Sequence, residues 1–219
     1  MSHTALFGRP AFRTRILPVI VITDVAQAVP LAQALLAGGV DAMEITLRHE
    51  AGLPAIEAVA RQVPGMHVGA GTVTRNHEFR QVRDAGARFA LSPGLTAALS
   101  HAADLIGLPW IPGVMTPSEV MHAREIGFRL LKLFPAEQAG GLAMLKALAG
   151  PLGDVQFCPT GGVSLANLTA FLQQPNVPLV GGSWLAPRDL VEQGRWDEVT
   201  ALARAATQAA AQVAPATAG

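Results

Sequence analysis

Three observations on this 219-residue sequence predict an α/β fold, specifically a single-domain (β/α)8 or TIM barrel. Short apolar segments alternate with longer segments of helical pattern, which indicates parallel strands joined by crossover helices. Eight such apolar segments can be counted, and a closed barrel needs eight strands, whereas open doubly wound sheets usually have fewer. Half of the residues are apolar and only 15% are charged, which is typical of strands buried on both faces.

The strand-like segments recur along the chain at intervals of roughly twenty to thirty residues. They cover residues 16–22, 42–47, 67–72, 88–92, 109–112, 130–134, 155–159 and 178–182. Most intervals between them look helical, because they are rich in Ala and Leu, several begin with Asp, Asn or Ser, and several end near Gly. The clearest helical segments are 24–36, 51–62, 76–85, 118–126 and 141–148.

One domain is expected, because the sequence has no internal linker, low-complexity stretch or convincing short repeat. We divide the chain into an N-terminal cap segment at residues 1–15, the barrel at 16–206 and a frayed, alanine-rich tail at 207–219. Arg9, Arg13 and Arg15 faintly resemble a transit peptide, but a core-like strand already begins at Ile16, which favours the cap.

The composition favours a small-molecule partner. Sixteen basic residues balance sixteen acidic ones, which gives no electrostatic case for binding nucleic acid or an anionic membrane. No apolar run near the N-terminus is long enough for a membrane span or resembles a secretion signal. The single cysteine, Cys158, excludes an intramolecular disulfide and suits a reducing compartment, so a cytoplasmic location is expected. The six histidines show no paired ligand spacing, so no metal site is expected.

Lys132 is the most informative residue, because it stands alone in the apolar run 129–134, where a charged ammonium would normally be excluded. Desolvation disfavours the charged form and makes the neutral amine available as a nucleophile. Schiff-base chemistry is the natural use of that amine. The alternative is a lysine that extends to the barrel rim and has no catalytic role.

Glu44 is expected inside the barrel, close to Lys132. In the second strand Glu44, Thr46 and Arg48 share one face, and the apolar residues between them share the other, which must meet the helices. Glu44 and Arg48 therefore point inward near the carboxyl end of the strand, where barrel enzymes place their chemistry. The pair of Glu44 and Lys132 indicates proton transfer, and a purely structural internal ion pair is the alternative.

Glycine-rich segments after three strands are candidate anion sites. The third strand ends at 69–72, the seventh at 158–162 and the eighth at 181–183, and each segment combines glycines with a hydroxyl. The last two follow the strands after which barrels commonly bind a phosphate. Tight turns that need glycine only for their geometry are the alternative.

Seven motifs carry a resemblance to a known family, in order and with plausible spacing from about Ile16 to Ala206. They are Glu44-Ile-Thr-Leu-Arg48, Gly69-Ala-Gly-Thr-Val73, Ser92-Pro-Gly94, Ile111-Pro-Gly113, Lys132-Leu-Phe-Pro-Ala-Glu137, Cys158-Pro-Thr-Gly-Gly162 and Gly181-Gly-Ser-Trp184. The sequence thus resembles the 2-keto-3-deoxy-6-phosphogluconate (KDPG) and 4-hydroxy-2-oxoglutarate (KHG) aldolases.

The resemblance implies a metal-independent class I aldolase, with no cofactor other than the covalent imine on Lys132. Such an enzyme cleaves KDPG reversibly to pyruvate and glyceraldehyde 3-phosphate, and related members cleave KHG to pyruvate and glyoxylate. By resemblance, Lys132 is the nucleophile and Glu44 moves protons. The partners are then a keto acid and a phosphorylated aldehyde, and the family suggests a homotrimer.

The resemblance also implies roles for the remaining candidate residues. Arg48 and Thr72 would bind the substrate carboxylate, and Pro93 and Phe134 would line the pocket. Thr160 would contact the C4 hydroxyl. The phosphate would be bound by Gly161, Gly162, Gly182 and Ser183. Some relatives carry an arginine within the first strand, which this sequence lacks, and Leu133 stands where some members have an aromatic residue.

Three alternatives stay open at this point. An aldolase for the C4 epimer, the phosphogalactonate substrate, would use the same lysine, glutamate and phosphate loops. A noncatalytic phosphosugar-binding barrel is possible in principle, but the inward set of Lys132, Glu44 and Arg48 argues against it. A metal-dependent barrel decarboxylase is disfavoured, because the sequence has no Asp-x-Lys-x-x-Asp pattern.

Overall fold

The computed structural model describes residues 12–214 and contains parallel strands that alternate with helices. The strands are β1 (Ile16–Ile20), β2 (Ala42–Thr46), β3 (His67–Gly71), β4 (Ala90–Leu91), β5 (Trp110–Ile111), β6 (Gly113–Val114), β7 (Leu130–Leu133), β8 (Gln156–Pro159) and β9 (Val180–Gly182). Each strand-like segment of the sequence thus contains an observed strand, although the strands are shorter than the segments.

The helices are α1 (Ala28–Ala37), α2 (Gly52–Gln62), α3 (Asn76–Asp84), α4 (Ala97–Ile106), α5 (Pro117–Glu125), α6 (Gly141–Ala149), α7 (Leu168–Leu172), α8 (Arg188–Glu192) and α9 (Trp196–Ala211). The five expected helices are present, and the first is preceded by a 3-10 turn (Val25–Gln27) that Asp24 caps. Helix α4 had no specific prediction, although Thr96 caps its start and Gly107 ends it in a left-handed conformation.

All strand pairs are parallel, and they form two sheets. Six strands pair in the order β5-β4-β3-β2-β1-β9, and three pair in the order β6-β7-β8. The α/β class with parallel strands is therefore confirmed, but the paired strands do not form one continuous closed ring of eight. The expected strand at 109–112 contains only β5, and a further strand, β6, follows after Pro112, which has no N–H group to donate. A single bridge between Thr160 and Gly181 links the two sheets on the other side.

The strands have an outer face that packs on the helices and an inner face that points away from them. The large hydrophobic core lies between the strands and the helices and includes Met43 and Ile45 of β2. A second, smaller set of buried side chains lies on the inner face, and we call it the inner apolar cluster. It consists of Leu17, Ala42, Phe89, Leu91, Ile111, Leu130, Cys158 and Leu179, with Phe12 packed against it.

Polar contacts join the two ends of the described chain. Arg15 donates hydrogen bonds to the carbonyl groups of Pro178 (3.2 Å), Leu172 (3.1 Å) and Val213 (2.8 Å). Of the expected cap at 1–15, residues 1–11 lie outside the described residues. Of the expected tail, α9 extends to Ala211, and 215–219 again lie outside. Within residues 12–214, no helix has the length and hydropathy needed to cross a membrane.

Candidate active site

The centre of the candidate site is a contact between Lys132 and Glu44. Lys132 lies on β7 and Glu44 on β2, and their Nζ and Oε1 atoms are 3.2 Å apart. Both side chains are buried, with 4% and 1% of their surface exposed. The strand alternation explains this placement, because Leu130 and Ala42, two residues before each, belong to the inner apolar cluster. The structure therefore brings a buried amine and a carboxylate within proton-transfer distance.

The surroundings of Lys132 are largely apolar. The Nζ atom lies 5.3 Å from the centre of the half-buried Phe134 ring, which favours a cation at this position. Cys158 of β8 is the register partner of Lys132. Burial raises the pKa of the Cys158 thiol to about 12, and the nearby Lys132 charge opposes that rise only in part. The neutral thiol therefore acts as a small apolar side chain.

Arg48 and Thr72 come together at the carboxyl ends of β2 and β3. The Nε atom of Arg48 donates a hydrogen bond to Oγ1 of Thr72 at 3.2 Å. The two Nη groups of Arg48, which is exposed, have no hydrogen-bond partner within residues 12–214. Thr72 has a φ of 60°, a left-handed conformation that costs a β-branched residue about 1–3 kcal/mol and is concentrated at functional sites. This arrangement can bind a carboxylate with a guanidinium fork and a hydroxyl.

The two glycine-rich loops that follow β8 and β9 are neighbours, because Thr160 bridges to Gly181. Gly161 and Gly162 have φ values of 98° and 83°, which few residues other than glycine adopt. Gly182 is buried, and Ser183 is exposed beside it. Two successive left-handed glycines next to an exposed hydroxyl can present backbone N–H groups to an anion.

Two further predicted site residues differ in exposure, because Thr160 is buried and Pro93 is exposed. Thr160 is buried, and its Oγ1 donates to the carbonyl oxygen of Cys158 at 3.3 Å. Pro93 is exposed and follows β4, and its carbonyl group occupies the space that a side chain at Gly113 would need. Because Gly113 is the register partner of Lys132, Pro93 lies one strand away from the amine.

Two side chains of the site were not among the candidates. Thr46 is fully buried on the inner face beside Glu44, and the strand alternation already placed it there. Glu137 packs its side chain directly on Gly162, and its backbone N–H donates to the Gly161 carbonyl at 3.1 Å. No local sequence signal predicts that contact, because it joins two loops of different strands.

The described part of the chain contains no group of three or more His, Cys, Asp or Glu side chains that could hold a metal ion. The chemistry available at the centre is that of an amine nucleophile beside a carboxylate. Together, the parallel α/β fold and this pair at the carboxyl ends of the strands define a lysine-dependent lyase of the class I aldolase type.

Comparisons with known proteins agree with this class. The family model described as KDPG and KHG aldolase matches residues 11–202. Over 198 residues, the chain is 49% identical to the 2-dehydro-3-deoxy-phosphogluconate aldolase of Pseudoalteromonas atlantica. The aligned region covers 90% of this chain and 92% of the relative. The chain is 48% identical over 195 residues to the KHG/KDPG aldolase of Escherichia coli K12, with 89% and 92% covered.

A solved structure gives the same result. The KDPG aldolase of Legionella pneumophila, with pyruvate captured at low pH as a covalent carbinolamine intermediate, has a TM-score of 0.86 and 43% identity, covering 88% of this chain and 94% of that one. The chain belongs to the KDPG and KHG aldolase family.

Proposed function

We propose that this protein is a class I aldolase that reversibly cleaves 2-keto-3-deoxy-6-phosphogluconate to pyruvate and glyceraldehyde 3-phosphate. The observation that supports it most is the buried contact of 3.2 Å between Lys132 Nζ and Glu44 Oε1. A surface ion pair would be solvated and weak, whereas a buried amine that can give its proton to a carboxylate is a nucleophile.

In the first half of the reaction, Lys132 Nζ attacks the C2 carbonyl carbon of the substrate. The carbonyl oxygen gains a proton, which Glu44 is placed to provide, and a carbinolamine forms. The oxygen then leaves as water with a second proton, and a protonated imine remains. The family relative captured with pyruvate contains a carbinolamine of this type.

In the second half, the C3–C4 bond breaks. Glu44 accepts the proton of the C4 hydroxyl, directly or through water, and that oxygen becomes the aldehyde oxygen of glyceraldehyde 3-phosphate. The electron pair of the broken bond moves into the imine, which becomes a neutral enamine. Glu44 returns a proton to C3, and water hydrolyses the resulting imine to release pyruvate and free Lys132.

We propose that Arg48 and Thr72 bind the carboxylate of the keto acid. Their contact of 3.2 Å holds the guanidinium at the carboxyl ends of β2 and β3, and the unengaged Nη groups can form a planar fork with two carboxylate oxygens. Phe134 and Pro93 are the proposed walls of the pocket. This placement puts the C2 carbonyl of the substrate between the carboxylate site and Lys132.

We propose that the phosphate binds at the two adjacent glycine loops. Gly161, Gly162 and Gly182 would donate backbone N–H groups and Ser183 its hydroxyl, while Thr160 would contact the C4 hydroxyl. The left-handed conformations of Gly161 and Gly162 and the bridge between the loops support this assignment. Glu137 packs on Gly162, so a bound phosphate dianion requires that this carboxylate turn away from the loop.

The keto-acid half of the site is the same for KHG, which would be cleaved to pyruvate and glyoxylate. We propose this as a second activity, because Lys132, Arg48 and Thr72 would contact only the part of the substrate that becomes pyruvate, and Glu44 would act in addition only on the C4 hydroxyl, which both substrates carry. The named activity of the Escherichia coli relative supports it. The KDPG epimer at C4 would meet the same groups, apart from Thr160.

We also propose that the two sheets together form one closed (β/α)8 barrel. Three observations support closure: β5 and β6 continue one another across Pro112, the Lys132 N–H donates to the Pro112 carbonyl at 2.8 Å, and Thr160 bridges to Gly181. The proposed domain division keeps 1–15 as a cap, but α9 continues to Ala211, so a frayed tail can begin only after that residue. Packing of Phe12 on the inner apolar cluster supports the cap.

We also propose an assembly and a location for the protein. The proposed assembly is a homotrimer, which the family resemblance implies. A cytoplasmic location is proposed because the single cysteine suits a reducing compartment. The balanced charge supports small-molecule partners rather than nucleic acid.

A coupled assay tests the proposed function. Purified protein is incubated with KDPG, with its C4 epimer or with KHG in a buffer that contains EDTA. Lactate dehydrogenase reduces the released pyruvate, and the accompanying oxidation of NADH is followed. We expect turnover of KDPG that exceeds turnover of the epimer. The sequence has only two lysines, so Lys146→Met, on the exposed face of α6, is the matched control for Lys132→Met. A folded protein that releases pyruvate from none of the three substrates would contradict the proposal.

A further inference from the structure

Thr46 and Glu44 each carry a buried polar atom that nothing in the described structure satisfies. Both residues are fully buried on β2. Thr46 Oγ1 and Glu44 Oε2 have no hydrogen-bond partner within residues 12–214. An unsatisfied buried polar group is costly and rare in folded proteins, so each one calls for a physical explanation.

The two side chains lie next to each other. They are two residues apart in the same strand and therefore point to the same inner face. Gly71 of β3, the register partner of Thr46, lies beside both. A methyl group at Gly71 would be 2.9 Å from Glu44 Oε1 and 3.2 Å from Thr46 Cγ2. The absence of a side chain at Gly71 thus leaves room for both residues above β3.

The two oxygens of the Glu44 carboxylate differ in their surroundings. Oε1 is engaged by Lys132 Nζ at 3.2 Å, whereas Oε2 is not engaged. In the proposed reaction, Glu44 exchanges protons with the C2 oxygen, the C4 hydroxyl and C3, which lie at different points of the substrate. One buried carboxylate cannot be in direct contact with all three, and a water molecule held at Oε2 would extend its reach.

We propose that Thr46 is a positioning residue that, together with Glu44 Oε2, holds the water molecule that relays protons between Glu44 and the substrate. A hydroxyl can donate one hydrogen bond and accept two, so it can orient a water molecule that also bonds to the carboxylate. In the protonation of the enamine, the water gives one proton to C3 and takes one from the Glu44 carboxyl. The carboxylate remains, and the water is unchanged. The inference rests on the proposed function.

A pair of variants separates the hydroxyl from the shape of the side chain. Thr46→Val keeps the β-branched shape and removes the hydroxyl, and Thr46→Ser keeps the hydroxyl and removes a methyl group. Thr46→Val removes a buried hydroxyl and also one hydrogen-bond partner of the proposed water, and because these effects oppose each other we expect only a small change in melting temperature. Melting temperatures of both variants show that loss of activity is not loss of fold.

The decisive readout is exchange of the pyruvate methyl protons with D2O, followed by NMR, because each exchange requires one enamine to form and one C3 protonation. We expect Thr46→Val to lower this exchange rate and the kcat for KDPG by about 10–100-fold, as for loss of proton-transfer assistance, with KM within about threefold of the wild type. Thr46→Ser should stay within about threefold of the wild type in both rates.

Three outcomes would overturn the inference. If Thr46→Val exchanges at the wild-type rate, the hydroxyl has no part in proton transfer. If Thr46→Ser is impaired as strongly as Thr46→Val, the side chain acts by packing. If the wild type itself neither exchanges pyruvate protons nor releases pyruvate, the proposed function fails and the inference fails with it, whereas the first two outcomes leave the proposed function intact.

Discussion

The inner face of the strands has two halves that differ in chemistry although the same strands build them. The half toward the amino ends carries the inner apolar cluster, and the half toward the carboxyl ends carries buried polar groups. One step of two residues separates the halves in three strands: Ala42 and Glu44 in β2, Leu130 and Lys132 in β7, and Cys158 and Thr160 at β8. Within a single strand, the residues that stabilise the fold are thus separated from the residues of the candidate active site.

The two halves also differ in what their side chains contribute to folding. Phe89 is buried in the apolar half, and its ring centre lies 5.4 Å from that of Phe12. Such contacts stabilise the fold without polar groups to satisfy. In the polar half, Lys132 and Glu44 lose hydration, and their mutual contact only partly offsets that loss. Mutations in the apolar half should therefore cost stability with little change in activity, whereas mutations in the polar half should lower activity.

The largest effect is expected at Lys132. Lys132→Ala should lower the kcat for KDPG by about three orders of magnitude or more, because the other lysine of the sequence, Lys146, lies on the exposed face of α6 and outside the candidate site. It leaves Glu44 buried without a partner, so a fall in unfolding free energy of about 3–5 kcal/mol should accompany the loss. Steady-state kinetics and urea unfolding measure the two effects. A folded Lys132→Ala protein with near-native activity would contradict the catalytic role that we assign to the polar half.

The largest effect in the apolar half is expected at Phe89. Phe89→Ala removes a buried ring and should lower the free energy of unfolding by about 3–5 kcal/mol. At a temperature where the variant is still folded, kcat should stay within about threefold of the wild type, since Phe89 lies outside the proposed site. If activity falls by orders of magnitude in a folded variant, the halves are not separable.

Gly69 and Gly71 of β3 sharpen the comparison, because they differ by one step of two residues. A methyl group at Gly69 would collide with the Phe89 ring, whereas one at Gly71 would meet Glu44 Oε1 at 2.9 Å. Gly69→Ala should cost about 1–3 kcal/mol of unfolding free energy with little change in kcat. Gly71→Ala should lower kcat by about 10–100-fold through displacement of the carboxylate, with a smaller effect on stability.

Each glycine variant is the control for the other, and both are measured by urea unfolding and by pyruvate release. Equal losses of activity in the two variants would show that any side chain added on β3 disturbs the candidate active site. The proposed separation of the two halves would then be wrong for this strand.

The smallest effect is expected at Cys158, which lies at the boundary of the halves. Burial raises the pKa of its thiol to about 12, so the reactive thiolate is nearly absent at pH 8. We expect no alkylation by iodoacetamide at pH 8 in the folded protein and complete alkylation in urea, measured by intact mass. Rapid alkylation of the folded protein would show that the reagent reaches Cys158 on the inner face of the strands, which would contradict its burial.

Much of the inner face could be predicted from the sequence, because the period of two along a strand fixes which residues share a face. The burial of Glu44 and the approach of Lys132 to it follow from that alternation, whereas Arg48 lies beyond the end of β2 and is exposed. The α/β class with parallel strands follows from the alternation of apolar and helical segments. These features depend on local pattern, which a single sequence contains.

Other features depend on contacts between distant parts of the chain and were not predictable. The interruption between β5 and β6 at Pro112 and the single bridge from Thr160 to Gly181 decide how the strands pair into two sheets. The left-handed conformation of Thr72, which lies beside Arg48, has no local sequence signal, since threonine itself disfavours it. The packing of Glu137 on Gly162 joins two loops and has no local signature.

Covalent trapping with pyruvate tests the central claim most directly. The protein is incubated with pyruvate and borohydride, and the reduced adduct is located by peptide mass spectrometry. Because the sequence contains only Lys132 and Lys146, the two sites are readily distinguished. The account predicts an adduct on Lys132 and none on the exposed Lys146. A folded protein in which Lys132 remains unmodified, or in which only Lys146 reacts, would contradict it.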